Sequence, residues 1–121
     1  MRYCQTLDLK DVPELIEEYK YWHNPENIWK EIPEGIKNVG ILDMEIYLFG
    51  NRLFMIIETP DNLDWEKQMN KLKELPRQQE WEKFMDIFQQ PLEKAILSGK
   101  WQPMERIFSL KESFCENNSK E

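Results

Sequence analysis

The sequence is poor in the residues on which most enzyme centres depend. It contains one histidine and two cysteines, and the cysteines, Cys4 and Cys115, lie near opposite ends of the chain. These residues form no metal-binding spacing, no CxxC redox motif and no disulfide framework. Four scattered glycines form no phosphate-binding loop, and no GxSxG motif is present. We therefore expect no metal site, no cofactor and no nucleophilic triad.

Long apolar runs and an excess of positive charge are also missing. The longest strongly apolar piece, residues 53–57, is far shorter than the ~18–20 residues that span a membrane. The first residues show no secretion signal, so we expect a cytoplasmic protein. Asp and Glu outnumber Lys and Arg by 23 to 16, and the formal charge of -7 opposes binding to nucleic acid. What is present, 121 residues of which 40% are hydrophobic, predicts a single globular domain.

Periodicity and turn residues predict four strands and four helical segments. Asp11 is the expected N-cap of the first helix, which ends at Asn24-Pro25, and Pro33 is expected to kink or break the second. Gly50-Asn51 is the strongest hairpin signal. The predicted strands are 2–9, 41–49, 52–59 and 104–110; the helices after the first are 26–38, 63–75 and 77–88; and 91–100 is expected to be a loop.

This order of elements predicts a ferredoxin-like split βαβ fold, an α+β architecture with one antiparallel sheet and helices on one of its faces. Residues 1–110 are expected to form this domain, and residues 111–121 a polar, frayed tail. In the second strand, Asp43, Glu45 and Tyr47 share one face, and Leu42, Met44 and Ile46 share the other. Because a sheet face without helices needs polar residues, a ligand or a second sheet to cover it, we predict a homodimer.

The single histidine, His23, lies four residues after Tyr19, so both side chains project from the same face of the first helix. An imidazole, a phenol hydroxyl and nearby aromatic rings suit a sugar, whose oxygens take hydrogen bonds and whose C–H faces pack on aromatics. The alternative is a histidine satisfied by a buried neighbour. Trp81 shares a helical stripe with Phe84, Met85 and Phe88, which favours core packing over ligand stacking.

Several of these residues together resemble the L-rhamnose mutarotase family. The resemblance covers about residues 2–110, and its most telling part is the Tyr19-x-x-x-His23 pair followed by Ile28-Trp29. The other matching parts are Gly40, the Gly50-Asn51 hairpin, Leu53 to Glu58, Trp81 with Phe84-Met85, and Glu105 to Phe108. The resemblance implies a dimeric α/β barrel fold, a dimer in solution, and interconversion of the α and β anomers of a deoxy sugar without a cofactor.

The resemblance also implies site residues. His23 matches the family's proton-donating histidine, Tyr19 a tyrosine that contacts the substrate, and Trp81 a tryptophan of the later helix. Met44 stands where the family has a tyrosine, Glu82 where it has a second tryptophan, and Glu26-Asn27 are two additional residues. The sugar therefore stays open between L-rhamnose, L-fucose and another related aldose.

The implied mechanism is acid–base catalysis of ring opening and closure, with His23 as the acid. Its partner is Asp43, Glu45 or a water held by Tyr19, and the sequence does not choose among them. Two other functions stay open. One is a non-catalytic dimeric sugar-binding or regulatory module of the same fold, and the other is a cofactor-free monooxygenase of similar fold.

Overall fold

A computed structural model describes residues 1–92 and 100–119 of the chain. The elements in chain order are β1 (Arg2–Leu9), α1 (Pro13–His23), α2 (Glu31–Asn38), β2 (Asp43–Phe49), β3 (Arg52–Glu58), α3 (Trp65–Lys73), α4 (Gln78–Met85), β4 (Gln89–Gln90), β5 (Gln102–Pro103) and α5 (Leu110–Ser119). Among these residues, no helix is long and apolar enough to cross a membrane.

The strands form one antiparallel sheet in the order β2-β3-β1-β4, with β5 also paired to β1. This order, with helices packed on one face, confirms the predicted ferredoxin-like α+β fold. The β2–β3 hairpin closes with Phe49 opposite Arg52, and Gly50 takes a φ of 63° that only glycine adopts without strain. The predicted hairpin is therefore confirmed as well.

Side-chain alternation separates the two faces of the sheet. Leu7 and Leu9 of β1 and the Leu53, Met55 and Ile57 side chains of β3 are buried under the helices. The other face, here the open face, carries the ion pairs Arg2–Glu58 at 2.9 Å and Arg52–Asp8 at 2.7 Å. It also carries exposed aromatic rings, among them Tyr47 and Phe49. The predicted division of β2 into a polar and an apolar face is confirmed.

The predicted last strand, 104–110, is wrong. The fourth strand of the sheet consists of β4 and β5, which both pair with the edge of β1 that β3 leaves free. Pairing ends when the Met104 amide donates to the Cys4 carbonyl at 2.8 Å, and Ile107 and Phe108 beyond it are exposed. They pair with no strand of the described part of the chain, so their alternation does not produce a strand. Most of the predicted loop, residues 93–99, lies outside the described residues.

The helices differ from prediction mainly at their ends. The N-cap of α1 is Val12 rather than Asp11, with Pro13 in the first turn. Turns occupy most of residues 25–30, and α2 begins at Glu31, so Pro33 lies in its first turn, where it breaks no hydrogen bond. Arg77, with a left-handed φ of 63°, separates α3 from α4. A further helix, α5, begins at Leu110, the last residue of the predicted strand, and occupies residues up to Ser119 that were expected to be a polar, frayed tail.

Two clusters of buried side chains fill the space between the sheet and the helices. We call the first, Leu9, Tyr19, Ile32, Leu53, Trp81, Met85 and Phe88, the tyrosine cluster. We call the second, Val39, Ile41, Met55 and Ile57, the valine cluster. Ile36, Ile46 and Trp101 pack against both clusters.

A buried glutamine joins α2 to α4 between the two clusters. The Gln78 Nε2 donates to the carbonyls of Glu31 and Ile32, at 2.9 and 3.3 Å. This close approach requires Gly35, since a Cβ there would lie 2.3 Å from Gln78 Nε2. Gly35 therefore positions α4, and with it Trp81, against α2.

Candidate functional site

A cavity of about 590 Å³ lies between the helices and the covered face of the sheet. Its volume falls within the ~300–1,000 Å³ of small-molecule sites. Its lining includes all five site residues expected from the sequence: Tyr19, His23, Met44, Trp81 and Glu82. Other polar lining residues are Gln5, Lys37, Asp43, Gln78 and Gln89. The fold thus brings β1, β2, α1, α4 and β4 together around one space.

His23 is the last residue of α1, and its ring is held by the same helix. Its Nδ1 lies 2.7 Å from the carbonyl oxygen of Tyr19. Because a carbonyl oxygen only accepts, Nδ1 carries the hydrogen and Nε2 is left for a ligand. Burial lowers the pKa of His23 below its usual value, and the hydrogen bond to Tyr19 partly opposes this change. At neutral pH His23 is therefore a neutral imidazole whose Nε2 can accept a proton.

Two aromatic rings fix the His23 plane. Tyr19 stacks on it at a centroid distance of 4.0 Å and an angle of 29°, and Trp81 meets it edge-on at 5.4 Å. Tyr19 itself is only 4% exposed, and burial raises the pKa of its phenol well above the usual value. The Tyr19 hydroxyl therefore stays protonated over the whole range of neutral pH.

The two additional residues, Glu26 and Asn27, complete the end of α1. The Asn27 side-chain amide donates to the Tyr21 carbonyl at 3.0 Å, and the Glu26 amide donates to Asn24 Oδ1 at 3.0 Å. These bonds satisfy backbone groups that a helix end leaves free. The insertion thus stabilises the turn that follows His23 and does not enter the cavity lining.

Trp81 belongs to both the core and the cavity. It is 7% exposed and packs against Trp29 at 5.1 Å, and the Arg77 guanidinium lies 3.8 Å from the centre of the Trp29 ring. The cation–π contact and the edge-to-face pair hold α4 against the chain after α1. One edge of a well-packed tryptophan is therefore available at the cavity wall.

The remaining expected residues lie at the cavity margin. Met44 is half-buried on β2 and packs against the valine cluster. Glu82 is exposed, and its carboxylate lies 3.4 Å from Lys100 Nζ. Asp43 is exposed and accepts a hydrogen bond from the Met44 amide at 2.9 Å.

Glu45, one of the two sheet carboxylates considered as a partner base, lies on the open face. It hydrogen-bonds Tyr47 there, and its charge raises the pKa of that phenol. It does not line the cavity. Asp43 shares the open face with Glu45 in the register of β2, and as the first residue of that strand it also lines the margin of the cavity.

Sequence reasoning missed Gln89. This residue of β4 is 6% exposed and lines the cavity, and its side chain acts to lower the pKa of the Tyr19 phenol. A signal was present, because Gln89 follows Trp81 and Met85 at a spacing of four residues and continues their apolar stripe with a polar side chain. Within residues 1–92 and 100–119, no group of three His, Cys, Asp or Glu side chains could hold a metal ion.

Sequence comparison relates this chain to mutarotases and to one UPF0734 protein. The sequence profile described as L-rhamnose mutarotase matches residues 2–110. An L-fucose mutarotase from Xanthomonas campestris is 35% identical over 112 residues, which are 93% of this chain and 90% of the relative. A UPF0734 protein from Dictyostelium discoideum is 39% identical in an alignment of 112 positions that covers 89% of this chain and 88% of the relative.

Solved structures share the fold at low sequence identity. An L-rhamnose mutarotase from Formosa agariphila superposes with a TM-score of 0.65 at 20% identity, covering 91% of this chain and 98% of that one. The tetracenomycin F2 cyclase of Streptomyces glaucescens, a type-II polyketide cyclase, superposes with a TM-score of 0.53 at 16% identity, covering 90% and 95%. At these identities the likeness concerns the fold alone.

Proposed function

The chain belongs to the L-rhamnose mutarotase family, and from this premise we propose that it is a cofactor-free, aldose 1-epimerase-type isomerase. It interconverts the α and β anomers of L-rhamnose or a related deoxy sugar such as L-fucose by acid–base catalysis. We further propose that it acts in the cytoplasm as a homodimer, through one domain of residues 1–110 to which residues 111–121 are appended.

One observation carries the proposal. The hydrogen bond from His23 Nδ1 to the Tyr19 carbonyl, 2.7 Å long, leaves Nε2 as the only free ring nitrogen of a histidine at the wall of a monosaccharide-sized cavity. A neutral imidazole with one fixed tautomer is suited to proton transfer near neutral pH. Trp81 lines the same cavity and supplies aromatic surface on which the apolar side of a sugar ring can pack.

In the mechanism we propose, His23 acts first as a base. Nε2 takes the proton of the anomeric hydroxyl, and the resulting imidazolium is stabilised because its Nδ1–H already donates to the Tyr19 carbonyl. The same proton passes to the ring oxygen as the bond between C1 and that ring oxygen breaks, which leaves the open-chain aldehyde. After rotation about the C1–C2 bond, the steps run in reverse and close the other anomer.

This sequence of steps modifies the role expected from the resemblance. His23 is still the proton donor to the ring oxygen, but it donates a proton that it has first accepted from the substrate. Asp43, or a water held by Tyr19, is the second group that can assist at either oxygen. One positioned acid–base group contributes ~10²–10⁴-fold, which suits a reaction that already proceeds without a catalyst.

The homodimer is supported by the apolar surface that the described part of the chain leaves exposed. Phe49 on the open face is 82% exposed, and Ile107 and Phe108 after β5 are 89% and 68% exposed. Large apolar side chains exposed to this extent are typical of residues that pack against a partner. In light scattering after size-exclusion chromatography, we expect twice the chain mass for the wild type and a monomer for Phe49→Glu.

The test of catalysis is anomer-exchange NMR on L-rhamnose and L-fucose with wild type, His23→Gln and a matched control, Tyr21→Gln. Tyr21 is on the same helix but 55% exposed and outside the cavity lining. Exchange that the wild type and the control accelerate and His23→Gln does not supports the proposal. Binding of either sugar without any acceleration would instead favour the sugar-binding module.

A further inference from the structure

Gln89 is buried at the cavity wall, and the oxygen of its side-chain amide accepts no hydrogen bond from the described residues. It is 6% exposed, and among the described residues its Oε1 is the one buried side-chain oxygen or nitrogen without a hydrogen-bond partner. Buried polar atoms are normally paired, because leaving one unpaired costs free energy. An unpaired acceptor that lines a cavity is therefore suited to a ligand that brings a donor.

The other half of the same amide orients Tyr19. Gln89 acts to lower the pKa of the Tyr19 phenol, and since Oε1 has no partner, we infer that the amide nitrogen is the group that faces the Tyr19 oxygen. A phenol oxygen that faces a donor directs its own hydrogen elsewhere, and no described residue accepts it. Burial keeps this hydroxyl protonated. The wall therefore presents a donor, the Tyr19 hydroxyl, beside an acceptor, Gln89 Oε1.

A donor beside an acceptor complements one particular chemistry. Each sugar hydroxyl both donates and accepts, so two adjacent hydroxyls can satisfy both groups at once. A methyl or methylene at the same place would leave both of them unpaired in a buried site, which is how polar sites reject analogues that lack a hydroxyl.

We propose that Gln89 is a specificity-determining residue that recognises adjacent hydroxyls of the bound sugar. Its Oε1 accepts a hydrogen bond from one hydroxyl, while the Tyr19 hydroxyl that it orients donates to the neighbouring sugar oxygen. This inference rests on the proposed function and deepens it, since neither the resemblance nor the periodicity assigns a role to this position.

The test compares Gln89→Met with the matched control Gln90→Met. Methionine has nearly the shape of glutamine without its amide, and Gln90 is the exposed neighbour on the same strand, outside the cavity lining. For L-rhamnose and L-fucose we expect Gln89→Met to raise KM about 3- to 10-fold with kcat little changed, as for loss of one neutral hydrogen bond. The control should match the wild type.

The KM values of monodeoxy derivatives of the preferred sugar distinguish recognition by Gln89 from a purely structural role of this residue. For the wild type, removing one of the two recognised hydroxyls should raise KM by a similar factor. For Gln89→Met, the same deoxy sugar should bind as well as the parent sugar, because the lost partner is no longer needed. If Gln89→Met does not fold, Gln89→Asn, which keeps the amide but shortens its reach, answers the same question.

An unchanged KM in Gln89→Met for both sugars would overturn the inference, as would an equal loss for the parent and every deoxy sugar. Either result leaves the proposed catalysis intact if the wild type still accelerates exchange. If the wild type accelerates nothing, saturation-transfer NMR with the same sugars replaces KM by Kd. The failure of the reaction and the failure of the recognition are then seen separately.

Discussion

The two clusters under the sheet have similar apolar cores but differ in the polar groups around them. The tyrosine cluster contacts His23, and the two titratable groups whose pKa is shifted by burial, Tyr19 and His23, lie there. The valine cluster has apolar side chains, and the side-chain bond to its backbone runs from the Gln68 amide to the Val39 carbonyl at 3.0 Å. The cavity therefore has its shifted titratable groups at one end and a mostly apolar lining at the other.

This comparison separates two kinds of mutational effect. Changes to the polar groups beside the tyrosine cluster should alter catalysis more than stability, because these groups are held by local contacts. Changes to the valine cluster should do the reverse, since burial of apolar area is what that cluster contributes.

Replacing His23 by glutamine should lower the rate of anomer exchange by ~10²–10⁴-fold, because the proton-transfer group is lost. The melting temperature should change little, as His23 is the last residue of α1. Exchange NMR and a thermal melt followed by circular dichroism measure the two quantities. A folded variant with full activity would contradict the assignment of proton transfer to His23.

Replacing Val39 by alanine should lower the free energy of unfolding by about 2 kcal/mol, from lost burial and the cavity left behind. Val39 is fully buried but does not line the cavity of the site. The exchange rate per folded molecule should therefore equal that of the wild type. Urea denaturation and exchange NMR check both parts, and a loss of activity without a loss of stability would break the comparison.

Replacing Gly35 by alanine should destabilise the protein by about 1–3 kcal/mol, because its Cβ displaces Gln78 from the Glu31 and Ile32 carbonyls. The clash disappears when the glutamine is shortened. In the double variant with Gln78→Ala, the two losses should therefore sum to more than the measured total. Additive losses in urea denaturation would show that Gly35 and Gln78 do not act as a unit.

The smallest expected effect is on the pH dependence of stability. The pKa of folded His23 lies below its usual value of ~6.5, so the unfolded chain binds the proton first as the pH falls. The wild type should therefore lose stability between pH 6.5 and the lower, folded pKa. His23→Gln lacks this contribution, and its denaturation midpoint should fall less over the same range. Parallel curves for the two proteins would contradict the buried, neutral histidine.

The central part of the fold follows from sequence, and its last quarter does not. The first three strands alternate clearly, and Gly50-Asn51 fixes their hairpin. The fourth strand uses Gln89, Gln90, Gln102 and Pro103, which show no alternation because two-residue pairings need only backbone groups. Residues 104–110 alternate better but have no partner strand, so tertiary context overrides the pattern.

The site was predictable to the same extent. Tyr19 and His23 lie four residues apart on one helix, and this spacing alone places them together. The position of Gln89 beside Tyr19 depends on how α1 meets β4, a long-range contact that periodicity does not contain. Glu45 was considered for the site because a strand pattern does not say which of its faces the helices cover.

The hydrogen bond between His23 and Tyr19 bears on which substitutions such a protein can accept during evolution. Its donor and acceptor lie four residues apart in one helix, so α1 alone determines the tautomer of the His23 ring. Other residues of the cavity lining come from β2, α4 and β4. Under the proposed function, we expect substitutions at Met44, Glu82 or Gln89 to change which sugar is preferred while the proton-transfer chemistry is kept.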